Sequence, residues 1–402
     1  MLDRARLQEA DWVLTTYETL RDYQHSFGAV RWAVVVFDEA QKIKTPGTLM
    51  TEAAKAVQAE FTLAMTGTPV ENRLADLWCI VDTVQPALLG DLKTFSRTYE
   101  QTEDEAVLRE LKQKVDHDEP EPPPRPKVLL RRLKGAHLKG LPPKHEHVLK
   151  APMPPVQAER YKRAVGLARG AGGDRESMLK TIHQLRSLSL HPLPPGEGMS
   201  DEEYIAASAR LAEAIRVLDE VARAGERALV YVDSLEFQSI LRGLLQRRYG
   251  LAQPPLLING TVAGDQRKRR VDVFQQGDGF DVMILSPRAG GVGLTLTAAT
   301  HVIHLSRWWN AAVEDQCTDR VYRIGQERPV HISFPMAIHP VFGEYSFDVQ
   351  LDNLIRRKRQ LSHALLSPGD ATEQDLRQLF EATVHQPKDR GTVGQVDVKR
   401  LT

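Results

Sequence analysis

The sequence predicts an α/β protein with two parallel-sheet domains in series. Three observations carry that reading. An apolar run at 33–37, a helical stretch at 49–58 and a second apolar run at 61–65 spell strand, helix, strand. From residue 203 to residue 305, short apolar strands alternate with helical patterns. Between the two blocks lies an acidic, proline-rich piece at 116–124, followed by a strongly basic stretch at 125–150.

In the first block, Ala33-Val34-Val35-Val36-Phe37 has the pattern of a strand buried on both faces. It ends in Asp38-Glu39. The run Phe61-Thr62-Leu63-Ala64-Met65 ends in Thr66-Gly67-Thr68-Pro69. A βαβ unit places both polar ends on one sheet edge, where open α/β sheets bind ligands. A carboxylate at Asp38 can hold Mg²⁺ through water, and Glu39 can orient or deprotonate a water attacking a γ-phosphate. An acidic helix cap after a strand explains the same pair, and the residues alone do not separate the two readings. Thr66-Gly67-Thr68-Pro69 taken alone is an ordinary turn. Its place one βα unit after the acidic pair favours a coupling role.

Residues 76–111 carry amphipathic helical patterns. The proline-rich piece should be extended and exposed. In the basic stretch, Lys127-Val128-Leu129-Leu130-Arg131-Arg132-Leu133-Lys134 sets arginines around an apolar centre, which suits phosphate contacts better than a solvated face. Helices are expected at 155–167 and 176–190, before a Pro/Gly-rich break at 191–200.

The second block opens with a helix at 203–224, a strand at 228–232 and a helix at 235–248. Leu256-Leu257-Ile258 is a strand closing in Asn259-Gly260; a helix at 265–275 leads to a strand at 281–285. After Ser286, residues 287–294 form a Gly-rich loop whose backbone N–H groups could approach phosphate or ribose closely; a plain flexible loop has the same composition. His301-Val302-Ile303-His304-Leu305 is a further strand. Trp308-Trp309-Asn310 then fits core or lid aromatics, or a nucleic-acid backbone contact. Arg320 and Arg323 stand at i, i+3, which puts both guanidinium groups on one face of a helix. Two forks on one face suit a triphosphate, whereas an isolated pair reads as solvated. Val330-His331-Ile332-Ser333 is the last strand, and 346–366 an amphipathic helix with Arg356, Arg357, Lys358 and Arg359.

Composition narrows the function. Of 402 residues, 42% are hydrophobic and 26% charged, as in soluble globular proteins. No run is long enough to span a bilayer, and Met1 opens no signal-peptide pattern. Formal net charge is zero, so attraction to nucleic acid rests on local basic patches. Cys79 and Cys317 stand far apart, which argues against a disulfide framework or zinc site and fits a reducing cytosol.

In order and spacing, these motifs resemble the Swi/Snf-type DNA-dependent ATPases of helicase superfamily two. Thr15-Thr16-Tyr17-Glu18-Thr19-Leu20 resembles a strand-and-helix element of that family. The acidic box resembles it too, as does Thr66-Gly67-Thr68-Pro69 with Glu71-Asn72. So do Leu130-Arg131-Arg132-Leu133-Lys134 leading to Leu141-Pro142-Pro143-Lys144, Leu185-Arg186 with His191-Pro192, and Ile258-Asn259-Gly260-Thr261 through Arg267 to Phe274. The most specific segment is 285–326, with AGGxGL, WWN, ExQ and DRxxRIGQ; the likeness covers about 12–365.

The resemblance implies two RecA-like parallel-sheet lobes, the first incomplete, with inserted helical protrusions. Residues 1–150 would be the remainder of lobe one with a helical insertion and Pro-rich loop, 151–202 a helical protrusion and linker, 203–345 lobe two, and 346–402 a brace helix and tail. It implies ATP and Mg²⁺ as cofactors, bound between the lobes, and double-stranded DNA as partner. Glu39, Gln316, Arg320 and Arg323 would then be catalytic, the arginines as fingers from lobe two. Asp38 would hold magnesium through water, and Thr66, Gly67, Thr68, Gly291 and Gly293 would serve the nucleotide. Thr16, Arg131, Arg132, Asn259, Gly260, Ser286 and Trp308 would face the DNA.

The sequence also departs from the family. It holds no G-x-x-x-x-G-K-[ST] string and no Gly-Lys pair, and no lysine precedes Lys42. Ser306 stands where the family usually has Asp, and Ala311 where it usually has Pro. The expectation is therefore a fragment of a DNA translocase cut from a longer chain, with an exposed sheet edge and apolar surface on lobe one. The alternatives are a non-catalytic DNA-binding or regulatory module, or half of a split ATPase completed by another chain. Remodelling, protein displacement and anti-phage defence all use such an engine. A compact bacterial motor in the cytoplasm, at the nucleoid and away from membranes, is expected.

Overall fold

A computed structural model describes residues 2–67, 73–100, 105–116, 128–130, 132, 140–170, 174–194, 199–287, 293–364 and 373–385. The chain divides into two units: Met1–Gly140 with Trp309–Asp315 and Ile355–Thr372, and Leu141–Trp308 with Gln316–Leu354 and Glu373–Thr402. Among the described residues, no helix is long and apolar enough to cross a membrane.

In the first unit, helices α1 (Arg4–Glu9), α2 (Tyr17–Asp22) and α3 (Gln24–Gly28) precede strand β1 (Arg31–Asp38). Helix α4 (Leu49–Lys55) leads to β2 (Gln58–Met65). The strands pair in parallel with Asp38 opposite Met65, so both polar ends do lie on one edge. Thr48 starts α4, its hydroxyl accepting the Thr51 N–H at 3.3 Å, as Thr caps do. Phe37, Ile43, Ala53 and Ala54 bury one face of this sheet with Leu20 and Phe27. The other face is open: Val34 is 55% exposed and Phe61 60%. The expectation of a strand buried on both faces is thus corrected. The run is apolar on both sides, but helices cover one. The apolar surface expected on this lobe is present. A strand expected before Tyr17 does not form either: residues 12–16 pair with no strand, and Trp12 and Leu14 are exposed. A second core joins α5 (Leu74–Val84), α6 (Leu92–Phe95) and α7 (Glu105–Asp116) through Leu77, Phe95, Leu111 and Val115.

The second unit opens with β3 (Lys144–Pro152), then α8 (Pro155–Gly170), α9 (Arg175–Leu190), α10 (Asp201–Ala206) and α11 (Ala209–Ala224). Next come β4 (Arg227–Tyr231), α12 (Leu235–Tyr249), β5 (Leu256–Ile258), α13 (Gly264–Gln276), β6 (Asp281–Leu285) and β7 (His301–His304). The chain continues through α14 (Ala311–Thr318), β8 (Val330–Ile338), α15 (Phe347–Ala364) and α16 (Glu373–Val384). All six strands run parallel, in the order β3-β8-β7-β4-β6-β5. β4 is central and wholly buried, as a continuous apolar strand between helix layers must be. Leu211, Leu218, Val221, Leu241, Leu244 and Leu245 of α11 and α12 pack into the core with Val230 and Ile284.

Two boundaries differ from the sequence reading. The first domain does not run to residue 150, because β3 pairs with β8 from Lys144↔Val330 to Pro152↔Ile338. The helix expected at 203–224 is two helices. The first ends at Ala206, and Ser208 caps the second: its hydroxyl accepts the Leu211 N–H at 3.2 Å and donates to the Leu190 carbonyl at 2.7 Å.

Candidate functional site

Strand β1 delivers Asp38 and Glu39 to the sheet edge. The Asp38 carboxylate is exposed, and its Oδ1 accepts the Glu39 N–H at 3.0 Å. Its backbone carbonyl accepts the Tyr17 hydroxyl at 2.7 Å. Burial first, then the charges of Asp38 and Glu39, push the Tyr17 phenol up, so it remains a donor. Glu39 adopts a left-handed backbone at φ 52, ψ 50, which a residue bearing a Cβ adopts at a cost. That bend ends the strand and starts a short 3-10 turn, Ala40–Ile43.

The turn brings Gln41 between the two strand ends. Its amide nitrogen donates to Glu39 Oε2 at 2.6 Å, and its carbonyl oxygen accepts the Thr66 hydroxyl at 2.7 Å. Thr66 directly follows β2, with Gly67 beside it. The sequence reading brought Glu39 and Thr66 to one edge but missed Gln41 as the bridge. The signal was present: a residue with both donor and acceptor stands two positions after the carboxylate.

The second unit has its own cluster at the carboxyl ends of β4, β5 and β6. Gln238 of α12 is fully buried. Its amide nitrogen donates to the Val232 carbonyl at 2.6 Å and to Ser286 Oγ at 2.9 Å, while its oxygen accepts from Asn259 Nδ2 at 3.0 Å. Asn259 Oδ1 in turn accepts the Thr261 N–H and hydroxyl, at 3.0 and 2.7 Å. Asn259, expected to face DNA, is buried, its side-chain amide engaged by Gln238 and Thr261. Gly260 is exposed, and Ser286 half-buried. Gln238 went unnoticed in the sequence; the hint was an amide on the same helix face as Leu241 and Leu245.

Arg320 and Arg323 do not share a helix face. α14 ends at Thr318, and residues 319–325 are turns. Contacts to neighbouring segments stop the helix: Thr318 Oγ1 meets His304 Nε2 at 3.1 Å, and the Leu296 N–H donates to the Arg320 carbonyl at 2.9 Å. Arg323 donates to the Leu294 carbonyl at 3.3 Å, next to Gly293, whose φ of 56 suits glycine. Buried Gln326 closes the turn by donating to the carbonyls of Ala299 and Thr297, at 2.9 and 3.0 Å. Gln316 is half-buried on α14. Arg186 of α9 lies 5.7 Å from the Trp308 ring centroid, held by Asp233 at 3.0 Å and the Arg307 carbonyl at 3.1 Å.

Thr16 caps α2, its hydroxyl accepting the Thr19 N–H at 3.1 Å. Arg132 is exposed. Thr68, Gly291 and Arg131 lie outside the described residues. Among the described residues, no group of three or more His, Cys, Asp or Glu side chains is placed to hold a metal ion by itself.

Comparison with known proteins adds to this geometry. A family profile described as SNF2-related domain matches residues 1–193, and one described as Helicase conserved C-terminal domain matches 210–325. Zorya protein ZorD of Escherichia coli is 35% identical over 89% of this chain and 34% of its own length. The putative ATP-dependent helicase/translocase YwqA of Bacillus subtilis is 30% identical over 94% of this chain and 40% of its own length. The chain thus spans between a third and two-fifths of these relatives. A solved Sulfolobus solfataricus SWI2/SNF2 ATPase core in complex with dsDNA is 28% identical, covering 89% of this chain and 74% of that one, at a TM-score of 0.45.

Proposed function

Because the chain belongs to the SNF2-related family of helicase-like ATPases, we propose that it is part of an ATP-driven motor that moves along double-stranded DNA. The Glu39–Gln41–Thr66 bridge carries this reading. Hydrolysing a γ-phosphate requires a water held in line with the breaking bond. Glu39 orients that water and takes its proton. Gln41 ties the Glu39 carboxylate to Thr66 at the end of β2, so a change at the γ-phosphate reaches the segment that follows. Asp38 fits a magnesium ion held through water: it is acidic, exposed and fixed at a strand end by the Glu39 N–H. Bound magnesium would neutralise charge on the β- and γ-phosphates.

On this reading Arg320 and Arg323 stabilise charge on the transferring phosphoryl group, with Gln316 upstream on the same segment. Gly67 and Gly293 leave room for close backbone approach to the nucleotide. Thr16, Arg132, Gly260, Ser286 and Trp308 contact the DNA backbone, and Asn259 acts by holding its loop. Such contacts carry no base identity, so affinity should fall linearly with the logarithm of salt concentration.

A second reading is a DNA-binding module or half of a split ATPase. One assay separates them: DNA-stimulated ATP hydrolysis by this chain, with Glu39→Gln as control, repeated with an added polypeptide bearing G-x-x-x-x-G-K-[ST]. Glu39-dependent turnover by the chain alone supports a motor. Turnover that appears only with the added polypeptide supports a motor whose phosphate-binding loop lies outside these residues, on the same chain or on a companion. Salt-sensitive duplex binding without turnover supports the binding module, and no binding and no turnover sinks all three.

A further inference from the structure

Four histidines form a row across the second sheet, apart from the residues discussed above. His145 and His147 share one face of β3, His331 stands near the start of β8 and His301 opens β7. The register sets His145 opposite His331 and His331 opposite His301. The rings stack. Centroids of His145 and His331 are 5.1 Å apart, those of His147 and His331 5.4 Å, and those of His301 and His331 5.0 Å, with interplanar angles of 24°, 14° and 17°.

His147 Nε2 and His331 Nδ1 lie 3.1 Å apart. One proton between them makes a hydrogen bond; a proton on each sets N–H against N–H, and that arrangement is forced once both rings are doubly protonated and charged. At the far end His301 Nε2 meets Glu226 Oε2 at 3.0 Å, an oxygen that also accepts the Thr300 hydroxyl at 2.6 Å. Arg328 lies 3.8 Å from the other Glu226 oxygen and draws charge from it. On β3, Lys144 and Glu146 alternate to the opposite face and pair with each other at 3.0 Å. Arg227 of β4 is turned to the carbonyls of Phe274 and Gly279, with Asp281 of β6 nearby. Among the described residues, Glu226 is the carboxylate seen to touch the row. Parallel rings point their nitrogens past one another, consistent with the lack of a metal-binding group among the described residues.

Such a row tolerates few protons. Burial first lowers the proton affinity of both His301 and His331; neighbouring imidazoles lower it further, and Glu226 opposes. β3 is an edge strand, as β5 is, and among the described residues it pairs on one side with β8; elements held by fewer neighbours open at lower cost.

We propose that the histidine row is an acid-sensitive latch on β3. While the imidazoles are neutral, stacking and the His147–His331 hydrogen bond hold the edge strand. As pH falls below the ordinary histidine value His301 and His331 gain protons, and repulsion within the row weakens the pairing of β3 with β8. The sign follows from linkage. A histidine that binds protons less readily when folded contributes stability above its unfolded value, near 6.5, and that stability is lost as pH falls. The device needs neither nucleotide nor DNA, so it stands or falls apart from the proposed function.

Amide exchange in the 402-residue chain tests it. With intrinsic rates corrected, protection across β3 should drop about tenfold or more relative to β4 between pH 7.5 and 5.5. His331→Asn and His147→Asn should each shrink that difference. Parallel changes in β3 and β4, or an acid loss unchanged in both variants, overturn the latch. Imidazole titration of the wild-type chain by NMR is a second measurement that needs no variant. His301 and His331 protonating below the ordinary histidine value support it, and ordinary titration of both overturns it.

Discussion

The Glu39 carboxylate and the Gln41 amide lie 2.6 Å apart, and a left-handed backbone at Glu39 puts them there. A Cβ in that region is destabilising, and glycine carries none. Glu39→Gly should therefore be more stable than Glu39→Ala by about 0.5–1 kcal/mol in urea unfolding. Equal stabilities would mean that the backbone at Glu39 is not left-handed in solution. The gain should come with loss of any Glu39-dependent turnover, the usual trade at a strained functional residue.

Arg210 and Asp348 form an ion pair that is almost wholly inaccessible to solvent, at 1% and 0% side-chain exposure. Asp348 also accepts the Ala337 N–H at 2.7 Å, and Arg210 donates to the Leu305 carbonyl at 3.2 Å. Removing one partner leaves a buried charge uncompensated, so Asp348→Ala should cost about 3–5 kcal/mol. Replacing both, as Arg210→Met with Asp348→Leu, should cost less than either single change. A double variant as unstable as the two singles added together would show that the pair contributes no coupling.

How legible each part was depends on where its partners lie in the chain. β5 and β6 could be read because 256–258 and 281–285 are short apolar runs bounded by turn residues. β3 could not, since Lys144-His145-Glu146-His147 has no apolar alternation and its partner β8 follows nearly at the end of the fold. The place of Glu39 and Thr66 on one edge followed from the βαβ pattern alone. The left-handed turn that lets Gln41 join them did not, because no glycine marks it. Arg320 and Arg323 have helical spacing, but tertiary hydrogen bonds to Leu296 and His304 end the helix before either. Local pattern cannot foresee that.

Gln238 gathers three strand ends with one amide. Gln238→Leu would leave the Val232 carbonyl, Ser286 Oγ and Asn259 Nδ2 without that partner. A stability loss of about 1–3 kcal/mol is expected, the range for stranding a buried polar group. Since Asn259 holds the exposed Gly260, duplex affinity should fall as well, at every sequence alike. Stability lost with duplex affinity intact would separate this cluster from any DNA contact.

His339 should make the second unit sensitive to acid for a reason of its own. It is 2% exposed and sits in the turn after β8. Its Nδ1 accepts the N–H groups of Val341 and Phe342 at 3.1 and 3.2 Å, so it must be bare. Its Nε2 then carries the proton and donates to the Ala158 carbonyl at 3.2 Å. A second proton would set an N–H against two N–H groups. Burial is the largest cause lowering its proton affinity; the Ala158 bond opposes, Lys162 adds to the lowering and Glu159 opposes. The unfolded chain therefore binds that proton more readily, and stability must decline as pH falls below about 6.5. His339→Asn should be less stable at neutral pH yet lose less between pH 7 and pH 5. Urea midpoints at both pH values measure the difference directly. A variant whose loss over that interval equals the wild type's would show that His339 stays neutral in the unfolded chain as well, or charges freely in the folded one.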